Sequence, residues 1–408
     1  MTENDVTLFN DFIDEAGLEG HIHQILKRFN TDIRHGKLIK LNLSDLGLTV
    51  IPDSIGKFQH LRRLDLSSNQ LTNIPKSLGN LSSLERLDLS LNSLETIPST
   101  IGDLTQLRSI RAQSNYIKEI PSEFERLENL LLLDFGRNQL TLIPTILSNL
   151  KKLIQLNLIT NKITEFPIEL CSLTKLKRIA MRNNNLRDLP REFGNLTNLV
   201  HLNFQKNELE CLPSSFGDLR KLERLDLRYN KLVELPRSFT QLKNLKRLEL
   251  RFNNLSSLPD DFGKLKNLEE IGLYHNKLTE LPKSFVDLHQ LKILNIDKNQ
   301  LKEIPDEINK LTNLIEINLD NNSLTDLPDS FWDLFNLKFL YLENNALKQI
   351  SEKISLLRNL FVLAIRHNPI EKIPSSLSRL GNLKRIDIDN SQKELFTSEY
   401  RNLLNSVN

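Results

Sequence analysis

Cysteine is almost missing from this chain. Cys171 and Cys211 are the only two in 408 residues, and neither has a short-spaced partner. Two isolated thiols make neither a disulfide framework nor a zinc site. Long apolar runs are missing too: no stretch approaches the roughly 18 residues a membrane helix needs, so no transmembrane span is expected. Neither sign of charge dominates, since 54 Lys and Arg face 52 Asp and Glu for a net of +2. That balance excludes wholesale commitment to nucleic acid or to an anionic membrane, though it allows a local patch. The N-terminal stretch MTENDVTLFNDFIDEAGLEG carries acids where a secretory signal would carry a basic region and an apolar run, so no signal peptide is expected. Catalytic signatures are absent as well: there is no G-x-x-x-x-G-K-[ST], no H-E-x-x-H and no G-x-S-x-G. No enzyme and no cofactor are therefore expected. His21-x-His23 has no third ligand nearby, and no metal site is expected. The expected setting is a reducing cytoplasm.

What is present is a repeat of 23 residues. From Leu38 to Leu383, every step of 23 lands on leucine, without insertion or deletion. Each unit reads L-x-x-L-x-L-x-x-N-x-L-x-x-L-P-x-x-φ-x-x-L-x-x, where φ is Leu, Ile or Phe. Fifteen full units run from Leu38 to Asn382, and a sixteenth begins at Leu383 and loses the pattern after Ile388. The L-x-x-L-x-L segment alternates as a strand does, with its leucines inward. Strands of successive units must be parallel, because the chain crosses back on the far side before each return. The ninth slot is Asn in 14 of 16 starts, with Leu46 and Ser391 the exceptions. An amide that donates and accepts can tie its own turn to the neighbouring coil. The fifteenth slot is Pro in 14 of 15 units, and Ser351 is the exception. Proline fixes φ and keeps the preceding residue extended, so the far side is expected to be extended or a short 3₁₀ turn. Phe fills the φ slot at 124, 193, 216, 239, 262, 285 and 331, which suggests a stacked aromatic spine. One unit orders 23 residues at roughly 1.5 kcal/mol each, more than its own buried aliphatics return, so the units must stack and be capped.

Three segments are expected: an N-terminal helical cap over 1–37, the repeat array over 38–390 and a C-terminal helical cap over 391–408. In the first, Phe12, Ile13, Leu18, Ile22, Ile25, Leu26 and Phe29 recur at nearly helical spacing, broken near Gly17–Gly20. In the last, TSEYRNLLNSVN (397–408) opens with a Thr N-cap and carries Tyr400, Leu403 and Leu404.

The phrase LxxLxLxxNxLxxLPxxF/IGxLxxL resembles the 23-residue leucine-rich repeats of intracellular proteins, among them the Ras-group and Ras-suppressor-like proteins and bacterial proteins, including leptospiral ones. The signature is strong for fold. The resemblance implies an α/β-type solenoid: a leucine-rich repeat horseshoe with a concave parallel β-sheet of about 16 strands and short helical caps. It implies a non-catalytic scaffold, expected to be a monomer, that binds a protein partner on the concave surface. The partner belongs either to signalling, with small-GTPase regulation the specific case, or to a host on which a bacterial protein acts. Several such families append catalytic domains, and none is expected in the 26 residues from Leu383 onward.

Function must then sit in slots 3, 5, 7 and 8, which face outward from the strands. In the units starting at 38 to 153, bases and acids interleave. In the units starting at 176 to 245, seven bases face only Asp226 and Glu249, and Tyr229 and Phe252 lie among them. From 268 to 337 the sign reverses. The candidate partner-binding residues are Arg178, Arg182, Arg224, Arg228, Tyr229, Arg247, Arg251, Phe252, Tyr274, His275, Asp297, Asp320, Tyr341 and Glu343. Arg and Tyr are enriched at binding hot spots, and a surface with segregated charge orients a bipolar partner. The aromatics could also stack bases. The neighbouring acids would repel a phosphate backbone, so nucleic acid ranks below protein.

Overall fold

The computed structural model describes residues 5–27, 31–393 and 395. The helix expected over 397–408, and Phe29 of the N-terminal pattern, lie outside the described residues. The chain forms two compact units, Met1–Asn207 and Glu208–Asn408.

The first unit opens with the helix Asp5–Glu15, whose Leu8, Phe9, Phe12 and Ile13 are buried. Phe12 meets Phe58 of the first repeat edge-on at 5.8 Å. The Asp5 carboxylate accepts from the Leu38 N–H at 2.7 Å, so the helix covers the backbone donor that begins the repeats. A 3₁₀ turn (Glu19–His21) and the helix Ile22–Lys27 follow. Residues 32–34 then form a strand antiparallel to Lys37–Asn42, an element that a helical reading of 1–37 does not contain. His35 and Gly36 both take positive φ, 50° and 72°, to turn the hairpin. From Lys37–Asn42 onward every strand pairs parallel with the next, through Arg63–Asp65 to His201–Asn203.

Among the described residues the second unit carries eight strands of three residues each, from Arg224–Asp226 to Arg385–Asp387. Their register repeats without slippage: Leu225 faces Leu248, Leu248 faces Ile271, and Ile271 faces Leu294. The strands are shorter than the L-x-x-L-x-L alternation, covering slots 3 to 5. Hydrogen bonds continue on both flanks, as in Lys246 N–H to Glu223 O at 2.9 Å and Leu227 N–H to Glu249 O at 2.8 Å.

Three slots dictate the rest of each coil. The slot-15 proline stands just before a 3₁₀ turn, as Pro236 does before Arg237–Gln241 with φ −63° and ψ 147°, so the far side is 3₁₀ as its prolines require. The φ-slot rings behind it stack: Phe216 on Phe239 at 6.2 Å and Phe262 on Phe285 at 6.0 Å, within 5° of parallel. The slot-9 amide works inward. Asn253 accepts from Leu232 N–H at 3.1 Å and donates to Leu227 O and Leu250 O at 3.0 and 2.9 Å, which satisfies turn backbone from two coils. Slot 8 is left-handed throughout, from Asp45 (φ 55°) to His367 (φ 58°), although it never holds glycine. The turn there lets slot-8 N–H groups reach the slot-7 carbonyl of the next coil, as Phe252 reaches Tyr274 at 2.9 Å; His367 instead donates to the Asp389 carboxylate.

Candidate functional site

Alternation along the strands of the second unit puts slots 5 and 7 on the outer face, two residues apart and side by side. In two consecutive coils that geometry closes an ion pair. Arg228 donates through Nε and Nη2 to the two Asp226 oxygens at 3.0 and 2.7 Å. Arg251 does the same to Glu249, at 2.7 Å for both bonds. Each is a two-point guanidinium–carboxylate fork, and each raises its arginine above the ordinary guanidinium pKa, chiefly through that hydrogen bond. Arg247 adds contacts to Glu249 at 3.5 Å and Glu270 at 3.1 Å. Glu249 is thereby buried, 7% exposed. Room for it comes from Gly272, the single slot-5 glycine. A Cβ on Gly272 would lie 2.5 Å from Glu249 Oε2 and 2.8 Å from Arg251 Nε.

Beside these forks stand four rings. Tyr229 stacks on Phe252 at 4.3 Å and 10°, and Phe252 stacks on His275 at 4.8 Å and 25°. Tyr274 closes on Phe252 edge-on at 4.8 Å. The three stacked rings all come from slot 8, with φ of 57°, 56° and 57°. Left-handed backbone suits Asn or Gly and is unusual for bulky side chains, so packing of one ring on the next must offset the local strain. Tyr229 remains 41% exposed. Lys298 donates to the Tyr274 hydroxyl at 3.0 Å and stands 5.2 Å from its ring centroid.

Slot 7 then turns acidic at Asp297, Asp320 and Glu343. Burial pushes Asp297 up to about 6, against the opposing pull of its backbone hydrogen bond, Lys298, Arg251 and His275. Burial pushes Asp320 up to about 7, aided by Glu343, Asp297 and Asp387 and opposed by the hydrogen bond from the Glu343 N–H. Burial raises Glu316, on the strand that leads to Asp320, as well. Among the described residues no cation stands within ion-pair distance of Asp297 or Asp320, while Glu343 has Arg366 at 4.0 Å. No group of three or more His, Cys, Asp or Glu converges as a metal site among the described residues. Burial lifts the Cys171 thiol to about 12, far from the reactive range.

Twelve of the fourteen candidates therefore belong to the second unit. Arg228, Tyr229, Arg247, Arg251, Phe252, Tyr274 and His275 form one contiguous cluster. Asp297, Asp320 and Glu343 extend its slot-7 column, and Tyr341 lies on the strand Phe339–Tyr341 with its phenol raised by burial and Glu316. Arg224 is exposed and faces Arg247 in register. Arg178 and Arg182 are exposed in the first unit. Sequence reading missed Gly272, whose signal is visible afterwards as the one glycine in a strand slot, and left Lys298, the single base in the variable slots of the acidic zone, out of the candidates.

Comparison with known proteins agrees with this architecture. The leucine-rich repeat region profile matches residues 41–116, 165–254, 191–275 and 237–327. A leucine-rich repeat protein of Leptospira interrogans is 32% identical with a TM-score of 0.76, over 88% of this chain and 96% of that one. The plant peptide hormone receptor RGFR1, solved in complex with RGF2, is 28% identical with a TM-score of 0.74, over 89% of this chain and 68% of that one. The functional domain of InlJ from Listeria monocytogenes shares the fold at 23% identity and a TM-score of 0.70, over 85% of this chain and 72% of that one. No curated protein matches the sequence.

Proposed function

The chain belongs to the leucine-rich repeat family, and from that premise we propose that it is a non-catalytic scaffold whose second unit holds a protein partner on its outward strand face. The observation that carries this reading is the stack of Tyr229, Phe252 and His275, flanked by Tyr274, in slots that are polar through most of the chain. Rings packed on one another on unusual backbone, with Tyr229 and His275 exposed and Phe252 and Tyr274 half-buried, supply contact area at little entropic cost on binding. The carboxylate forks on Arg228 and Arg251 fix the flanking guanidiniums before a partner arrives. They also occupy the charges a phosphate backbone would need, which weighs against nucleic acid. The RGFR1 complex supports the idea that a chain of this build can carry a polypeptide ligand.

In this reading the protein acts as a monomer in the cytoplasm, in signalling, with a small GTPase pathway as the specific role. No helix among the described residues is long and apolar enough to cross a membrane. The likeness to the Leptospira interrogans chain favours a second reading, a bacterial protein whose partner is a host protein. Affinity capture from the source cell tests the face itself. The triple variant Tyr229→Ser, Phe252→Ser, Tyr274→Ser, melting like the parent, is expected to lose the captured partner. Equal capture by parent and variant would place the site elsewhere.

A further inference from the structure

We propose, resting on the reading above, that the partner presents an extended segment with an apolar side chain on the Tyr229–Phe252–His275 stack and a lysine or arginine over Asp297 and Asp320. The surface offers charge complementarity beside an aromatic anchor. Beside the rings the basic charge is already met: Arg228 and Arg251 each spend Nε and Nη2 on a carboxylate of their own coil. An acidic segment would have to displace those forks. At the other end Asp297 and Asp320 have no cation within ion-pair distance among the described residues, and burial has lifted both from the ordinary carboxylate range. A cation arriving there meets half-buried carboxylates, where the pair is stronger than on open surface. Lys298 does not supply it, since its ammonium is turned to the Tyr274 hydroxyl at 3.0 Å.

Spacing sets the segment. Neighbouring strands stand about 4.8 Å apart. From Phe252 to Asp320 is three strand steps, roughly 14 Å, and from His275 to Asp297 is one. An extended chain advances about 3.3 Å per residue, so the apolar and basic side chains should lie about two to four residues apart.

A displayed library of random linear peptides, about twelve residues long, selected on the full chain tests this. The enriched peptides are then measured on Asp297→Asn/Asp320→Asn and on the triple serine variant, each checked by thermal melting. The expected result is a Lys or Arg two to four residues from a Leu or aromatic, with affinity falling about tenfold or more on the Asn variant. Acid-rich or uncharged winners, equal binding to the Asn variant, or no enrichment at all would each overturn the partner chemistry. If binding survives the Asn variant but is lost on the serine variant, the segment proposal falls while the face stands. Undiminished binding to the serine variant sinks both. Should the Asn variant melt early, Asp297→Ser alone supplies the same comparison.

Discussion

Gly272 shows how one residue holds the face together. Its missing Cβ makes space for Glu249 Oε2 and Arg251 Nε, which a methyl would approach to 2.5 and 2.8 Å. Gly272→Ala should therefore spread the Arg251–Glu249 fork and leave a buried carboxylate poorly paired. Stability is expected to fall by about 1–3 kcal/mol, read as a lower denaturant midpoint; an unchanged midpoint would show that the fork has slack. Asp320 gives a pH test. Burial holds its folded pKa at about 7, above the ordinary 3.8. Between those values the folded state binds more protons than the unfolded one, so this group's contribution to stability is full below pH ~4 and is lost as pH rises through ~7. Asp320→Asn keeps an oxygen for the Glu343 N–H without the charge. It should leave the melting temperature unchanged near pH 4 and raise it near pH 8; equal shifts at both pH values would contradict the assignment.

At the scale of the element, each coil is fixed by a few slots, and two can be tested directly. Ser351 occupies the proline slot at φ −64° and ψ 145°, a conformation proline adopts unaided. Ser351→Pro should stabilise by about 0.4–1 kcal/mol through the unfolded chain, less whatever the Ser351 Oγ bond from Lys353 N–H at 3.2 Å contributes. A lower denaturation midpoint would mean that bond outweighs the entropy. Asn253→Ala strands the Leu232 N–H, while the carbonyls of Leu227 and Leu250 keep the amides of Asn230 and Asn276. At ~1–3 kcal/mol for one buried group, a loss of that size is expected, with faster amide exchange at Leu232. These elements were legible in the sequence because Leu, Asn and Pro each answer one local need that recurs every 23 residues. The strand at 32–34 was not legible: Asp32-Ile33-Arg34 has one apolar residue and takes its pairing from Lys37–Asn42. Nor was the left-handed slot 8, because Asp, Ser, Leu, Arg, Thr, Asn, Lys, Tyr, Phe and His all fill it; tertiary hydrogen bonding sets that backbone, and residue preference does not.

Across the molecule, the same grammar supports very different surfaces. The variable slots of the first unit mostly interleave signs among small polar residues, with one carboxylate, Asp134, raised by burial, whereas the second unit gathers the rings, the forks and the raised Asp297, Glu316 and Asp320. The sequence revealed which side chains face outward and where the sign of charge changes. It did not reveal that Asp226 and Glu249 would clasp Arg228 and Arg251, because that depends on side-chain rotamers and on the space at Gly272. The central claim is that the second unit's ring cluster is where a partner lands. Replacing Phe252 by a photo-cross-linking phenylalanine analogue, with the exposed Tyr116 of the first unit as the control position, tests it in the source cell. The account expects a cross-linked partner peptide from position 252 and none from 116. Cross-links from 116 with none from 252 would contradict it.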